Sequence, residues 1–257
     1  MPQPGNCPID AVQENPNGRR VARPIVGMVI GTHCMGLRRS LRQLAQGPIG
    51  PLALFRNAVH RRSRNRVLAG PFQGMHYIHR SYGGALLPKI LGCYERELYP
   101  VIEQVVRCNH DLLLDIGAAE GYFAVGLARR QQSPVVAFET DPKARELARR
   151  FAARNGVAER VDFLGTCTPS VLQTILTAAD RPFILCDVEG HEATLLNPKA
   201  VPSLLKSSIL VEMHEFARPG LTAEFFRRFE STHRIEVIRQ EERTAEDFPY
   251  DDSWTRL

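Results

Sequence analysis

The 257 residues are 44% hydrophobic and 24% charged, proportions typical of a globular chain with one large α/β domain and an appended segment. The net charge of +5 is unevenly distributed, because residues 1–66 hold eleven arginines and only two acids. The six cysteines form no C-x-x-C pair, which excludes the spacing of a zinc site or of a secreted disulfide framework. This pattern favours free thiols and a cytoplasmic protein.

Residues 1–69 are predicted to form a basic N-terminal extension. Residues 1–20 are rich in Pro, Asn and Gly and are expected to be unstructured, whereas residues 36–69 carry apolar positions at helical spacing. The apolar stretch 25–30 is too short to span a bilayer. The positive charge favours a solvated arm, with peripheral contact to an anionic membrane surface as the alternative. Nucleic-acid binding is disfavoured, because no aromatic residues alternate with the basic ones.

Residues 70–107 are predicted to form a helical cap or lid. The loop-like segment 70–82 is rich in aromatic residues, which favours packing in a small cap over a substrate lid. From residue 89 to residue 107, apolar residues recur at helical spacing. Pro100 interrupts this pattern and predicts a kink or a break near Tyr99.

Residues 108–257 alternate short apolar runs with helical patterns. This arrangement is typical of βαβ units in a mostly parallel sheet, so the predicted fold class is α/β. The predicted strands are residues 112–116, 135–138, 161–164, 183–187, 209–213 and 235–238. The predicted helices are residues 120–131, 142–155, 168–179, 191–205 and 221–230.

The first predicted strand ends in an acidic, glycine-containing turn. Ligands of parallel sheets bind at the carboxyl ends of the strands, where Asp115 is followed by Gly117 and Gly121. A dinucleotide site would have G-x-G-x-x-G facing a diphosphate. Here Ala119 stands in place of the middle glycine, and the Glu120 carboxylate would repel a diphosphate. A cofactor with a cationic methionine moiety suits these acids better, which argues against an NAD-dependent oxidoreductase.

The second predicted strand ends at Glu139, about twenty residues after the glycine turn, the offset expected of a ribose ligand. A carboxylate at this position can accept hydrogen bonds from both ribose hydroxyls and disfavours a 2′-phosphate. Asp141 and Pro142 are then predicted to be the N-cap and the first residue of the next helix.

Two later motifs narrow the comparison with known families. Asp187-Val188-Glu189-Gly190-His191-Glu192 follows the fourth strand, and Glu212-Met213-His214 ends the fifth. Together with the glycine turn and the acid after the second strand, they resemble the FkbM-type methyltransferases, a class I S-adenosylmethionine (SAM)-dependent family. The resemblance covers roughly residues 108–240.

The resemblance implies a Rossmann-like, mostly parallel seven-stranded sheet that binds SAM, and O-methyl transfer to a hydroxyl of a small molecule or glycan. A seventh, antiparallel strand would have to come from residues 245–256, where the pattern is weak. Thr166 or backbone groups would contact the adenine, because no acid follows the third strand. The other residues implied to bind the cofactor are Asp115, Gly117, Ala119 and Glu120 near the methionine, Glu139 at the ribose and Asp187 beneath the methyl group.

Methyl transfer to a hydroxyl gains about 10²–10⁴-fold from a general base. His214 is the first candidate for this base, and His191 is the second. In an alternative arrangement, Asp187, Glu189, Glu212 and His214 would bind Mg²⁺ or Mn²⁺. Gly190 disfavours this metal site, because a strand that ends before it need not place Asp187 and Glu189 on one face. Metal-free hydrogen bonding of these acids is therefore preferred.

Two further classes of function stay open. A nucleic-acid methyltransferase could use the basic extension, but the Asn-Pro-Pro-aromatic and paired-cysteine elements of base methylation are absent from the sequence. A non-catalytic Rossmann-like binding module is less consistent with acids at three strand ends, Asp115, Glu139 and Asp187. The sequence indicates neither the methyl acceptor nor the oligomeric state.

Overall fold

The structure is a computed structural model that describes residues 11–14, 20–30, 59, 61–78, 80–82 and 84–241. Most of these residues belong to a seven-stranded sheet with helices between its strands. The strands are β1 Ala11–Glu14, β2 Arg20–Arg23, β3 Ile25–Ile30, β4 Leu112–Ile116, β5 Val135–Phe138, β6 Val161–Leu164, β7 Pro182–Cys186, β8 Ser208–Met213 and β9 Arg234–Arg239. The α-helices are α1 Leu86–Leu91, α2 Tyr99–Arg107, α3 Tyr122–Arg130, α4 Pro142–Arg154, α5 Pro169–Thr177, α6 Glu192–Leu195 and α7 Leu221–Phe229.

The large sheet has the strand order β6-β5-β4-β7-β8-β3-β9, and every neighbouring pair is parallel. Strands β1 and β2 form a separate antiparallel pair. Successive residues of β4 alternate between two hydrophobic clusters, with Leu113 in one and Leu112 and Leu114 in the other. The sheet is therefore buried on both faces, which confirms the predicted α/β fold.

All six strands predicted from apolar runs are present, with ends within one residue of the prediction. The seventh strand differs from the prediction. It is β3, which lies between β8 and β9 and is parallel to both, not the expected antiparallel segment 245–256, which falls outside the described residues. Val26 and Met28 are completely buried in β3. A continuous apolar run is typical of a strand buried on both faces, so this part of the predicted extension 1–69 contributes to the sheet.

The region before β4 contains two helices, not one kinked helix. Helix α1 ends at Gly92, whose φ of 77° is left-handed, and a short 3₁₀ helix, Arg96–Leu98, precedes α2. Pro100 lies in the first turn of α2, where a missing N–H costs no intrahelical hydrogen bond. The predicted break near Tyr99 is confirmed. The helical pattern predicted for 36–69 falls largely outside the described residues.

The helix predicted for residues 191–205 is wrong. Only α6 and a 3₁₀ helix, Pro202–Lys206, form within that range. Pro198 and Pro202 lack the N–H groups that a continuous helix would need. Among the described residues, no helix is long and apolar enough to cross a membrane.

Aromatic residues before α1 pack against the sheet domain. Phe72 and Tyr77 are buried, and their rings meet the Tyr122 ring edge-on at centroid distances of 5.3 and 6.1 Å. Gly126 lies directly beneath Phe72, since a Cβ there would be 2.6 Å from that ring. Segment 70–82 thus anchors the cap to α3.

The cysteines differ from the expectation of six free thiols. Cys93, Cys167 and Cys186 are free, but Cys108 is disulfide-bonded. Burial raises the pKa of the Cys167 thiol to about 12 and raises that of Cys186 well above its ordinary value. Neither thiol is therefore suited to act as a nucleophile.

Candidate active site

The candidate site lies where the strand order reverses, between β4 and β7. Strands on one side of this point continue to β5 and β6, and strands on the other side continue to β8. In open parallel sheets, ligands bind outside the carboxyl ends of the strands at this reversal. A cavity of about 650 Å³ occupies this position and extends from the β6 end to the β8 end.

The turn after β4 is in contact with the end of β7. Gly117 has a φ of 94°, and a Cβ at this position would be 1.7 Å from the carbonyl oxygen of Asp187. Asp187 in turn donates its N–H to the carbonyl of Ile116 at 2.9 Å. The N–H groups of Gly117 and Ala118 both donate to the Phe138 carbonyl at 2.9 Å, which joins the turn to β5 as well. Only glycine fits at position 117.

The carboxylate of Asp115 lies at the N-terminus of helix α3. Its Oδ2 accepts a hydrogen bond from the Ala124 N–H at 2.9 Å, and the residue is only 2% exposed. Burial raises the pKa of Asp115 to about 7, and the nearby charges of Asp187 and Glu139 add to this rise. A diphosphate would need free N–H groups at this helix terminus. Here one of them, that of Ala124, is already paired with an acid.

Glu139 joins the tip of β5 to the glycine turn. Its Oε2 accepts from the Ala119 N–H, and its Oε1 accepts from the Asp141 N–H, both at 2.8 Å. Ala119 has a φ of 47°, a left-handed conformation that directs this N–H toward the carboxylate. Each carboxylate oxygen can accept a second hydrogen bond, so Glu139, which lines the cavity, can still bind a pair of hydroxyls. Asp141 caps α4 as predicted, accepting from Lys143 N–H at 2.7 Å.

Glu120 does not line the cavity, contrary to its prediction as a cofactor ligand. Its side chain is completely buried and is 2.5 Å from the Lys89 ammonium. It also accepts hydrogen bonds from the Tyr77 hydroxyl at 2.5 Å, the Ser81 hydroxyl at 2.8 Å and the Tyr82 N–H at 2.8 Å. Glu120 therefore joins the cap segment to the glycine turn. The acid placed to repel a diphosphate is Asp115, not Glu120.

Thr166 lines the cavity at the β6 end, as expected of an adenine contact. It lies in the loop between β6 and α5, beside Gly165 and Cys167. All five residues that this loop contributes to the cavity, 165–169, are uncharged. The cavity therefore has an uncharged end here and acidic groups toward β4, β7 and β8.

His214, one residue beyond β8, is held among carboxylates. It is 2% exposed, and its Nδ1 is 2.6 Å from Oε1 of Glu192, which is completely buried. Its Nε2 is 3.5 Å from Oδ1 of Asp187 and 3.6 Å from Oε2 of Glu189. The ring thus points one nitrogen into the protein and the other toward the cavity edge.

The acidic neighbours of His214 bear on its predicted role as general base. Burial lowers its pKa, but the hydrogen bond to Glu192 and the negative charges of Asp187, Glu192 and Glu212 outweigh burial and raise the pKa to about 9. A protonated imidazole cannot accept a proton from an acceptor hydroxyl. At neutral pH these neighbours favour the protonated imidazole, and the role of His214 as general base stays a prediction.

Turn geometry, not strand alternation, brings the motif after β7 to the site. The strand ends at Cys186, and Glu189 has a left-handed φ of 52°. This turn returns the exposed Glu189 carboxylate to the side of His214, so the objection raised by Gly190 does not hold. His191, the second base candidate, is exposed and lines the cavity at the start of α6.

The four residues of the predicted metal alternative lie together. The ligand atoms of Asp187, Glu212 and His214 are all within 4.8 Å of one another. Burial and the charges of Asp187 and Glu95 raise the pKa of Glu212 to about 8. For the same reasons of burial and neighbouring negative charge, the pKa of Asp187 rises to about 6 although His214 opposes the rise.

Two residues at the candidate site were not predicted from the sequence to have a role there. Glu192 belongs to the motif after β7, but only the fold shows that it holds His214. Glu95, in the cap, lines the cavity with Tyr94, and burial raises its pKa to about 7. Its left-handed φ of 48° is uncommon for glutamate, and no sequence pattern indicated it.

No family model matches the chain. The curated proteins with detectable similarity are ribosomal protein L11 methyltransferases. That of Brucella suis (strain ATCC 23445 / NCTC 10510) is 37% identical over 71 residues, 27% of this chain and 23% of the relative. That of Pelobacter propionicus is 28% identical over 118 residues, 44% of this chain and 36% of the relative. The chain thus matches only about a quarter to a third of the length of these relatives.

Solved structures with partial likeness include proteins named as methyltransferases. Precorrin-6y C5,15-methyltransferase from Geobacter metallireducens has 21% identity and a TM-score of 0.40, with 52% of this chain and 69% of that chain covered. The O-methyltransferase from Bacillus cereus, in complex with SAH, has 19% identity and a TM-score of 0.33, covering 64% and 66%. Likeness at this level carries no argument about a cofactor or an acceptor, and the FkbM resemblance stays a prediction.

Proposed function

We propose that this protein is a SAM-dependent methyltransferase that methylates a hydroxyl group of a small molecule or glycan. The observation that carries the proposal is the position of Glu139 at the strand-order reversal. Its two oxygens are fixed by the Ala119 and Asp141 N–H groups and still line the cavity. A carboxylate held in this way is suited to the two hydroxyls of an unphosphorylated ribose.

The nucleoside would extend from Glu139 in both directions along the sheet edge. Thr166 and Cys167 line the uncharged end, which suits the adenine. Asp115 and Asp187 line the acidic part, which suits the methionine and the sulfonium. Asp115 also pairs with the Ala124 N–H, the place where a diphosphate would otherwise bind. A cationic cofactor is therefore favoured over a dinucleotide.

The acceptor would occupy the remainder of the cavity, toward β8 and the cap. Glu95, Glu212 and Gln240 line this part and offer oxygen atoms that accept hydrogen bonds from hydroxyl groups. Tyr94 supplies an aromatic wall. This lining supports an acceptor with several hydroxyls, such as a sugar.

Methyl transfer requires the acceptor oxygen, the methyl carbon and the sulfur in line. The oxygen–carbon bond forms as the carbon–sulfur bond breaks, the electron pair remains on sulfur, and the acceptor hydroxyl loses its proton. Alignment in the cavity supplies much of the rate. Glu95, with its pKa raised to about 7, is poised to receive the proton.

We also propose the division of the chain into a basic extension 1–69, a cap 70–107 and a cofactor domain 108–257, with β3 as the strand that the extension adds to the sheet. The cap contributes Tyr94 and Glu95 to the cavity. The extension, with its excess of arginine, would form a solvated basic arm, and peripheral contact with an anionic membrane is the alternative.

The proposal is tested by calorimetric SAM binding to Glu139→Ala and to Glu146→Ala. Glu146 lies on the exposed side of α4 and pairs with Arg150, so its loss should leave binding unchanged. Loss of charge-assisted hydrogen bonds in Glu139→Ala should weaken binding by about 1–3 kcal/mol. Unchanged affinity of the Glu139 variant would contradict the assignment, and equal thermal midpoints of the two variants would show that folding is intact.

A further inference from the structure

We propose that Asp187, Glu212 and His214 form a binding site for one hard divalent cation, of the Mn²⁺ or Mg²⁺ class. The three residues come from the ends of neighbouring strands β7 and β8, and their ligand atoms lie within 4.8 Å of one another. Opposite ligands of an octahedral Mg²⁺ are about 4 Å apart. The ligand atoms would therefore have to move by only about 1 Å to bind one cation together.

The orientation of His214 supports this site independently of the acids. Its Nδ1 is held at 2.6 Å by Glu192, and both side chains are at least 98% buried. Metal-binding histidines commonly donate one ring N–H to a carboxylate, which fixes the other nitrogen toward the metal. Here that other nitrogen, Nε2, faces Asp187 and Glu189 at 3.5 and 3.6 Å, too far for strong hydrogen bonds.

An oxygen atom of Asp187 also supports a cation site. Its Oδ1 is buried and has no hydrogen-bond partner among the described residues, although the other side of the carboxylate faces the cavity. A buried acceptor without a partner costs about 1–3 kcal/mol. A metal ion bound beside His214 Nε2 would satisfy this oxygen.

The donor set selects the kind of metal. Two carboxylates and one imidazole, without a thiolate, suit a hard cation that keeps water or substrate oxygen in its remaining positions. Glu189, whose side chain is 80% exposed, lies at the open side and can bind the cation directly or through water. The sulfonium of SAM carries a single positive charge and cannot bind these three side chains at once.

This inference rests on the proposed function where it concerns catalysis. The open positions of the cation would bind a hydroxyl of the acceptor and lower its pKa, so that its proton passes to a nearby base such as Glu95. The resulting oxygen attacks the methyl carbon of SAM, and the electron pair of the broken carbon–sulfur bond stays on sulfur. His214 would then bind the metal as a neutral imidazole, with its Nδ1–H donated to Glu192 and its Nε2 proton released on binding.

The test measures Mn²⁺ binding to the full, chelator-stripped chain without SAM, by the electron paramagnetic resonance signal of free Mn²⁺. We expect one Mn²⁺ per chain, and at least tenfold weaker binding in Glu212→Gln and His214→Gln. Glu192→Gln, which changes the carboxylate that holds the histidine, should weaken binding about 10–100-fold. Glu146→Gln makes the same chemical change on an exposed helix face and should bind normally.

Wild-type protein provides a second measurement that does not depend on the folding of variants. Bound Mn²⁺ should show electron spin echo modulation from one imidazole nitrogen. Absence of stoichiometric Mn²⁺ binding, or binding without nitrogen modulation, would overturn the metal site. SAM binding without Mn²⁺ binding would reject this inference alone, whereas Mn²⁺ binding without SAM binding would support the metal site and reject the proposed function.

Discussion

The carbonyl oxygen of Asp187 occupies the space where a side chain on Gly117 would begin. A Cβ on Gly117 would lie 1.7 Å from that oxygen, far inside van der Waals contact. Because Gly117 follows β4 and Asp187 follows β7, this contact brings the two strand ends at the reversal point together. The position of Asp187 therefore depends on the absence of a side chain at position 117.

Replacement of Gly117 by alanine should destabilise the fold by at least about 3 kcal/mol, because it combines a backbone clash with a left-handed φ of 94°. The measurement is the free energy of unfolding in urea. Gly156→Ala is the matched control, since Gly156 has a φ of 68° but nothing within 4 Å of a Cβ. It should lose only about 1–2 kcal/mol. Equal losses in the two variants would show that the contact with Asp187 is unimportant.

The buried pair of Lys89 and Glu120 should be a major link between the cap and the sheet domain. Lys89→Met removes a buried cation that lies 2.5 Å from the Glu120 carboxylate, so unfolding free energy should fall by about 3–5 kcal/mol. The double variant Lys89→Met with Glu120→Gln should recover part of the loss. Arg150→Met removes the cation of an exposed pair and should change stability by less than about 0.5 kcal/mol. Similar losses for Lys89 and Arg150 would refute the role of the buried pair.

The preference for SAM over S-adenosylhomocysteine should increase with pH. Burial raises the pKa of Asp115 to about 7, so this carboxyl becomes negative between pH 6 and pH 8. Its negative form attracts the sulfonium, whereas the neutral thioether of S-adenosylhomocysteine gains nothing. Both ligands carry the same amino group, so the ratio of their dissociation constants isolates the sulfonium.

Calorimetry at pH 6 and pH 8 should show this ratio rising in favour of SAM by about two- to tenfold, since one pKa unit corresponds to a tenfold change. Asp115→Asn should flatten the pH dependence. A ratio that is constant with pH in the wild-type protein would remove Asp115 from the sulfonium site.

His233 should make the fold less stable in acid. It is 2% exposed, and burial lowers its pKa although its Nε2 lies 3.0 Å from the Ser207 carbonyl. The unfolded chain, with an ordinary histidine pKa near 6.5, then takes up the proton first. The stability that neutral His233 contributes is therefore complete above about pH 6.5 and is lost as the pH falls below it.

Urea unfolding of wild type and His233→Gln at pH 7.5 and pH 5.5 measures this contribution. The difference in unfolding free energy between the two proteins should shrink at the lower pH. A difference that stays constant or grows in acid would mean that His233 is not held neutral.

Local sequence patterns were sufficient to predict most strands of the sheet. The apolar runs at β4 to β9, the cap at Asp141 and the break near Tyr99 each depend on residues that are close in the chain. The strand β3 was not predicted, because its place between β8 and β9 depends on partners about 180 or more residues later in the chain. Its apolar run carried the signal of a buried strand without indicating the partner.

The roles of individual site residues were harder to predict, because they depend on orientation. Glu120 follows the glycine turn in sequence, yet its side chain pairs with Lys89 and faces the cap. His214 follows a strand end as expected, but its raised pKa depends on Glu192, which lies 22 residues earlier, and on other nearby acids. Position along the chain indicated which strand end carries each group, whereas its protonation and partners required the folded structure.

The central claim is that this sheet edge binds a cationic nucleoside. The most direct measurement is isothermal titration calorimetry of the full-length protein with SAM and, separately, with NAD⁺. We predict saturable heat for SAM at one ligand per chain and none for NAD⁺. Saturable NAD⁺ binding by folded protein that releases no heat with SAM would contradict the account.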